Sequence, residues 1–388
     1  MTHESRIYLD NAATSWPKPT SVYDVVDKYQ REIGAPVGRS GYQEAAIVER
    51  LVLKARSDVG KLLGVSEHRR IIFTLNGTDS LNLALHGLLR PGDHVVTTDA
   101  EHNSVLRPLR FLAGHHGIEV TCVGCEPNGM VDPLSIRQAL RPATKLVTLT
   151  HASNVTGVIQ PVAEVGELLR NHGCYYLVDA AQTAGHLPID CRGWHIDLLA
   201  SSGHKGLLGP LGTGLLYVDP RVEASLRSVR QGGTGTQSED EDQPGTLPEK
   251  FESGNHNAPG ILGLGEGARY VAARGLAAVR EHEVTLLSAL REGLSKSSHV
   301  VTYAPEKVSQ QVGVLSFNIT GYDPQEVASL LDTAYGIQVR AGLHCAPRMH
   351  RALRTADVGG TVRISVGMFN TPEQIAAAVA AVQEIAAA

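Results

Sequence analysis

Four short apolar runs, rich in β-branched residues, constrain this chain most. They are Arg70–Thr74, His94–Thr98, Leu146–Thr150 and Tyr175–Asp179. Their apolar residues do not alternate with polar ones, so each run must bury both faces. That is the situation of a strand inside a largely parallel sheet with helices on either side. Helical patterns at Pro133–Leu140 and Pro161–Asn171 lie between such runs, which makes the class α/β. A strand-like Ile7-Tyr8-Leu9 precedes them all. At 388 residues the chain exceeds what one core usually organises, so two domains are expected. Gln231–Lys250 combines Gly-Gly-Thr-Gly-Thr, the acidic run Glu239-Asp240-Glu241-Asp242 and prolines, and predicts a long loop. Beyond Asn255 the pattern changes to helices over 259–273 and 276–295, a strand Val312–Ile319 and a helix Pro324–Tyr335. A strand Thr361–Val366 and a last helix over 372–387 complete a smaller α+β domain.

Charge and composition exclude several functions. The formal net charge is -5 and no Lys/Arg run offsets it, which argues against nucleic acid or an acidic membrane as partner. No apolar stretch approaches the roughly 20 residues that cross a bilayer. The polar start Met1–Arg6 has no signal-peptide core. Five cysteines, an odd number, argue against a disulfide framework and for a reducing cytoplasm. Cys122 and Cys125 form a single C-x-x-C without a second pair, so no metal site is expected. Cys174 and Cys191 flank strands and are expected to be structural.

The chemistry-bearing candidates lie just after the apolar runs. Lys205, in Ser202-Gly203-His204-Lys205-Gly206, follows an apolar strand Ile196–Ala200. Ligands of open α/β sheets bind at the carboxyl ends of strands. Alone, Lys205 is as well explained as an exposed loop lysine. It becomes a Schiff-base nucleophile only where neighbours hold a cofactor and depress its basicity. Pyridoxal phosphate (PLP) needs an acid facing its ring nitrogen, and Asp179 ends the run Tyr175–Val178. Asp179 also suits a helix cap. Gln182 could donate to the phenolic oxygen. A phosphate cradle is offered by Leu75–Ser80, where Gly77 and Thr78 precede a helical pattern over Leu81–Leu89; such turns also open ordinary helices. Ser202 and His204 could add donors. His102, past the strand His94–Thr98, could cover the cofactor ring and move protons, or be one of 17 histidines on a surface loop.

The ordered set decides. Tyr8-Leu9-Asp10-Asn11-Ala12-Ala13-Thr14, Asn76-Gly77-Thr78, Glu101-His102-Asn103-Ser104, His151–Gly157, Asp179-Ala180-Ala181-Gln182 and Ser202-Gly203-His204-Lys205 resemble the class V aminotransferase-fold enzymes. Within them the chain looks like the cysteine desulfurase and selenocysteine lyase branch, from residue 8 to about residue 371. The resemblance implies a fold-type I PLP enzyme with a mainly parallel seven-stranded sheet in a large domain, residues 15–254. Residues 1–14 and 255–388 would form the small domain. It implies a homodimer with active sites at the subunit interface. It assigns the Schiff base to Lys205, the pyridine nitrogen to Asp179, ring stacking to His102 and the phenolic oxygen to Gln182, with Asn154 close by. Gly77, Thr78, Ser202 and His204 would bind phosphate, joined by Gly233-Thr234 from the partner subunit. Arg363 would clamp the substrate carboxylate, which a bidentate guanidinium suits. Asn11, Ala13 and Asn154 would also face substrate.

Cys345, in Arg340-Ala341-Gly342-Leu343-His344-Cys345-Ala346-Pro347, matches the persulfide-forming cysteine of second-group desulfurases. A thiolate there would take sulfur from the cofactor-bound substrate, and Arg340 and His344 could favour the thiolate. The family often has His where this chain has Leu343, which leaves substrate preference open. The implied activity is L-cysteine to L-alanine with a persulfide on Cys345. Selenocysteine lyase, or another class V reaction (C–S lyase or aminotransferase), is the alternative. The short stretch between Cys345 and Arg363 implies that a sulfur-acceptor protein or small thiol comes to the site, in a pathway such as iron–sulfur assembly. The intact set Lys205, Asp179, His102 and Arg363 argues against a catalytically silent scaffold.

Overall fold

The computed structural model describes residues 6–38 and 41–388. Its strands are β1 (Ile7–Tyr8), β2 (Ile71–Thr74), β3 (His94–Thr98), β4 (Glu119–Val123), β5 (Thr144–Thr150), β6 (Tyr175–Asp179), β7 (Leu198–Ser202), β8 (Gly214–Val218), β9 (Val300–Tyr303), β10 (Val314–Ile319), β11 (Ile337–Gln338), β12 (Arg340–Gly342) and β13 (Thr361–Ser365). The α-helices are α1 (Thr20–Lys28), α2 (Gln43–Leu62), α3 (Gly77–Leu88), α4 (Asn103–His116), α5 (Pro133–Ala139), α6 (Val162–Leu169), α7 (Pro220–Glu223), α8 (Ala258–Arg274), α9 (Leu276–Leu294), α10 (Pro324–Tyr335), α11 (Pro347–Ala352) and α12 (Pro372–Ala387).

Seven strands form one sheet in the order β2-β8-β7-β6-β5-β3-β4. Only β8 runs against the rest, antiparallel to both β2 and β7. The central strands bury both faces, which is why their apolar runs do not alternate. On one face Phe73, Val96, Val147, Tyr176, Val178 and Leu199 pack with α2, α6 and α8. On the other, Ile72, Val95, Leu146, Leu177 and Leu198 pack with α3 and α4. Neighbouring residues of one strand thus enter opposite cores, as the two-residue period of a strand demands. The buried Arg56–Glu252 pair (2.6 Å) braces one of these cores, and Glu252 also accepts from the Phe73 N–H.

A four-stranded antiparallel sheet, β12-β13-β10-β9, has a core of its own, in which Leu315, Phe317 and Ile364 meet Leu287 and Leu290 of α9 and Val382 of α12. Leu9 lies in that core too, because β1 pairs in parallel with β11, Ile7 opposite Ile337.

Several boundaries differ from the sequence expectation. Helix α3 starts at Gly77 instead of Leu81, because the Asn76 side chain accepts from the Asp79 N–H (2.9 Å) and draws the Gly77-Thr78 turn into the helix. Strand β7 runs over Leu198–Ser202 instead of Ile196–Ala200, since the Ile196 N–H is held by the Cys191 carbonyl (2.9 Å) in a turn. No helix or strand lies between α7 and α8, so the predicted loop is present. Among the described residues no helix is long and apolar enough to cross a membrane. All five cysteines are free, with Cys174 and Cys191 buried.

Candidate active site

Because β2, β3, β5, β6 and β7 run the same way, their carboxyl ends share one edge of the sheet. Each supplies side chains to one cavity of about 290 Å³. From β2 come Asn76, Gly77 and Thr78; from β3, His102 and Ser104; from β5, Asn154; from β6, Asp179 and Gln182; from β7, Ser202, His204 and Lys205. The second sheet closes the cavity with Arg340 and Arg363, and the segment after β1 adds Ala12 and Ala13.

The floor is buried, and burial governs its ionisation. Burial pushes the Lys205 amine down to about 8; Asp179 and Asp10 oppose this, while Arg363 and Arg340 add to it. The Asp179 carboxyl is raised by burial and pulled back by the Ala181 N–H (2.9 Å) and by Lys205. Burial and the cations Lys205, Arg340, Arg107 and Arg363 hold His102 down to about 4, so the ring is neutral near pH 7. Its Nδ1 accepts from the Ser104 N–H (3.0 Å), which leaves the ring proton on Nε2. The Ser104 hydroxyl lies 2.8 Å from the same nitrogen and 2.7 Å from Thr78 Oγ1, coupling the histidine to the phosphate turn.

The turn before α3 suits an anion. A Cβ on Gly77 would stand 2.8 Å from Ser202 Oγ, so only glycine lets the backbone approach there. His204 Nδ1 is buried without a partner. Thr14, Ser15 and Lys18 grip the carbonyl of His204, and Ser15 Oγ also donates to that of Lys205 (2.9 Å). Gln182 is held by its amide on the Ala12 carbonyl (3.1 Å), and Asn154 donates to the His344 carbonyl (2.6 Å). Arg363 is 1% exposed; its Nη2 binds Asp10 (2.7 Å), its Nη1 donates to the Asn154 carbonyl (3.0 Å), and its Nε has no partner.

Three expected residues lie outside the cavity, Thr234 as its assignment to the partner subunit requires. Asn11 does not line the cavity: its amide donates to the Ser365 carbonyl (3.0 Å) and to Asn370 (3.1 Å), stapling the N-terminal segment to the second sheet. Thr234 lies outside the cavity of its own chain, with its hydroxyl on Thr236 (3.1 Å). Cys345 lines a neighbouring cleft that shares Thr78, His102 and Ser104 with the cavity. Its thiol sits 3.8 Å from Arg340 Nη2, and its carbonyl accepts from the Asn103 N–H (2.7 Å). His344 cannot favour a thiolate by charge. Burial, with Arg363, His350 and Arg340, pushes its ring down to about 2, and Nε2 faces Thr361 (3.0 Å).

Sequence reasoning missed the place of Arg340 in the cavity and the link through Ser104. It also missed Glu101, which burial raises to about 8 and which accepts from Thr98 Oγ1 (3.0 Å) and the Thr150 N–H (2.9 Å), joining the ends of β3 and β5. The one available signal was a serine two positions after a histidine at a helix start.

The family model for Aminotransferase class-V matches residues 7–377. The chain belongs to that family. Among its class-V relatives is a probable cysteine desulfurase of Methanothermobacter thermautotrophicus, 37% identical over 98% of this chain and 94% of the relative. A cysteine desulfurase of Escherichia coli O157:H7 is 31% identical over 97% of this chain and 93% of its own. The apo structure of a cysteine desulfurase from Thermococcus onnurineus NA1 superposes with a TM-score of 0.92 at 33% identity, covering 99% of this chain and 95% of that one. The cysteine desulfurase CsdA of Escherichia coli, in an S-sulfonic acid form, gives 0.88 at 28% identity over 98% and 94% of the two chains. The class-V fold expected from the motifs is the one observed.

Proposed function

We propose that this chain is a PLP-dependent cysteine desulfurase that converts L-cysteine to L-alanine and leaves the sulfur as a persulfide on Cys345. The observation that carries the reading is the meeting of Lys205, Asp179, His102 and Arg363 in one cavity, with the Cys345 thiol in the adjoining cleft. The residues fit PLP: a lysine of lowered basicity, a buried acid, an anion turn with no room for a Cβ, and an unpartnered buried ring nitrogen on His204. Lys205 would anchor the cofactor, Asp179 would face its ring nitrogen, and His102 would lie on the ring. Gly77, Thr78, Ser202 and His204 would hold the phosphate, with Thr234 of a second subunit, and Gln182 and Asn154 the phenolic edge. The bound cofactor would supply an electron sink that labilises bonds around the substrate's Cα and Cβ.

The chain's own residues then divide the work. Arg363, already desolvated, binds the substrate carboxylate in the cavity that it lines with Ala13. Lys205 and neutral His102 move protons at Cα and Cβ. The Cys345 thiol attacks the substrate sulfur; the Cβ–S bond breaks as an S–S bond forms, and Cβ takes a proton, so that a thiol and L-cysteine become a persulfide and L-alanine. The Arg340 guanidinium stands 3.8 Å from the attacking sulfur. The half-buried position of Cys345 suits release of sulfur to a visiting acceptor protein or small thiol. The reading includes a cytoplasmic homodimer, with residues 15–254 as the large domain and 1–14 with 255–388 as the small one.

Product analysis tests the proposal. With L-cysteine and a reductant the wild type should yield alanine and sulfide, and Cys345→Ala should yield almost no alanine while still binding PLP. Pyruvate in place of alanine would point to a C–S lyase. Full-rate alanine formation by Cys345→Ala would remove the persulfide step. Turnover of L-selenocysteine by that variant, without turnover of L-cysteine, would favour a selenocysteine lyase.

A further inference from the structure

We infer that Lys18 is a positioning residue for the proposed cofactor anchor: together with Ser15 it locks the His204–Lys205 peptide and so aims the Lys205 amine into the cavity. The inference rests on the PLP reading above. The carbonyls of the anchor turn are held in two ways. That of Gly203 accepts from the Gly209 N–H (2.8 Å) and that of Lys205 from the Leu208 N–H (2.8 Å), both within the turn. The His204 carbonyl is held from outside. Among the described residues, every group that binds it comes from residues 14–18: Thr14 Oγ1 (3.2 Å), the Ser15 N–H (3.1 Å), Ser15 Oγ (3.1 Å) and Lys18 Nζ (2.8 Å). Ser15 has one hydroxyl proton but lies near two carbonyls, those of His204 and Lys205 (2.9 Å). Lys18 resolves the conflict. Its ammonium donates both to the His204 carbonyl and to Ser15 Oγ (2.6 Å), which leaves the hydroxyl proton for Lys205.

Packing alone does not explain a lysine at this place. Burial pushes its amine down to about 7, and both of its partners are neutral oxygens. A cation held so costs stability that an apolar side chain of the same length would not. The benefit is directional. A peptide unit is planar, so fixing the His204 carbonyl also fixes the N–H of Lys205 and the plane from which its side chain leaves. The holding segment is itself braced. Tyr8 OH donates to the Thr14 carbonyl (2.8 Å), the Trp16 N–H to Asn11 Oδ1 (3.3 Å) and the Lys18 N–H to Tyr23 OH (3.0 Å). Asp10, at its start, holds Arg363 (2.7 Å), so residues 10–18 set the anchor and the opposite wall of the cavity in one frame. Lys18 does not line the cavity and acts only through Lys205.

Capture of PLP by apoprotein stripped from the holoenzyme tests this. In Lys18→Met the first-order step at saturating PLP, read from the visible absorbance, should slow about 10-fold. The PLP concentration at half saturation should change by less than about twofold, since the phosphate turn is untouched. The thermal midpoint should stay within about 4 °C. Burial sets the basicity of Lys205, and the charges that act on it are Asp179, Arg363, Arg340 and Asp10. A loosened turn that lets water reach the amine should therefore raise the pH above which capture levels off. Ser15→Ala should slow the same step, and the double variant should be little slower than the slower single, because both act on one peptide. An unchanged step in Lys18→Met overturns the inference and leaves the PLP reading standing. A slowing seen only through weaker half saturation does the same. If Lys18→Met does not fold, Ser15→Ala decides; loss of the folded state in both makes the role one of stability and also overturns the inference. A wild type that develops no visible absorbance with PLP overturns the PLP reading itself.

Discussion

The floor and the rim of the cavity are built by opposite means. Asp179 ends a central strand, and Lys205 follows the next strand by three residues, with glycines and packed carbonyl contacts fixing the turn between. Cys345 sits on a short loop where two consecutive non-glycine residues, His344 (φ 46°) and Cys345 (φ 59°), adopt left-handed backbone. Each such residue costs on the order of 1–3 kcal/mol and persists only where surrounding contacts enforce it. Those contacts are the Asn103 N–H on the Cys345 carbonyl and the Asn154 amide on the His344 carbonyl. A cofactor anchor, the role proposed for Lys205, needs one geometry and gets it from a sheet. A sulfur carrier, the role proposed for Cys345, must serve both the cavity and a visiting acceptor, and a loop pinned at its carbonyls suits that role.

The comparison can be broken at its strongest point first. Lys205→Ala should lower alanine formation by at least about 10³-fold and abolish the visible absorbance of stably bound PLP. Cys345→Ala should lower the rate about 10²–10³-fold with that absorbance intact. If both variants lose the absorbance, floor and rim are one unit. Asp179→Asn should cost about 10–100-fold and weaken PLP retention, measured by dialysis and absorbance. A pH series sharpens the floor further. Only the neutral amine captures PLP, and burial holds Lys205 near 8, so the capture rate of the apoprotein should climb with pH up to about 8 and level off above it. Asp179 opposes that shift, so Asp179→Asn should move the curve to lower pH; a curve still climbing near pH 10 would mean an exposed amine. The smallest effect belongs to the rim. Leu343 is 40% exposed, and Leu343→Ser should change stability by no more than about 0.5 kcal/mol in thermal unfolding.

What was legible in the sequence follows the same division. The run Tyr175–Asp179 matches β6 end for end, because four of its five residues are buried and the strand ladder satisfies their backbone. A polar residue closing such a run must sit at the sheet edge, so Asp179 could be placed from spacing alone. Local bonds were not legible. Asn11 and Ala13 belong to one motif, yet the amide of Asn11 turns to Ser365 and Asn370 while Ala13 faces the cavity. Nor does spacing tell that Arg340, from a different sheet, enters the cavity beside Lys205, or that burial and the nearby cations hold His344 neutral. Those facts depend on how the two sheets meet.

The pairing of β1 with β11 has a consequence for the order of assembly. Ile7 finds its partner at Ile337, Asp10 bridges Ser365, and the carboxylate of Asp10 holds Arg363. Contacts this distant along the chain are slow to form, because a very long loop must close before they repay its lost freedom. During synthesis the segment around Asp10 has to wait, unpaired, while more than three hundred residues follow it. The large sheet, whose strands all lie before Asp219, can fold in that interval with Lys205 and Asp179 in place. On the proposed reading the substrate-facing wall is therefore the last part to close, and a nascent chain acquires the means to hold a cofactor before it can select what the cofactor acts on.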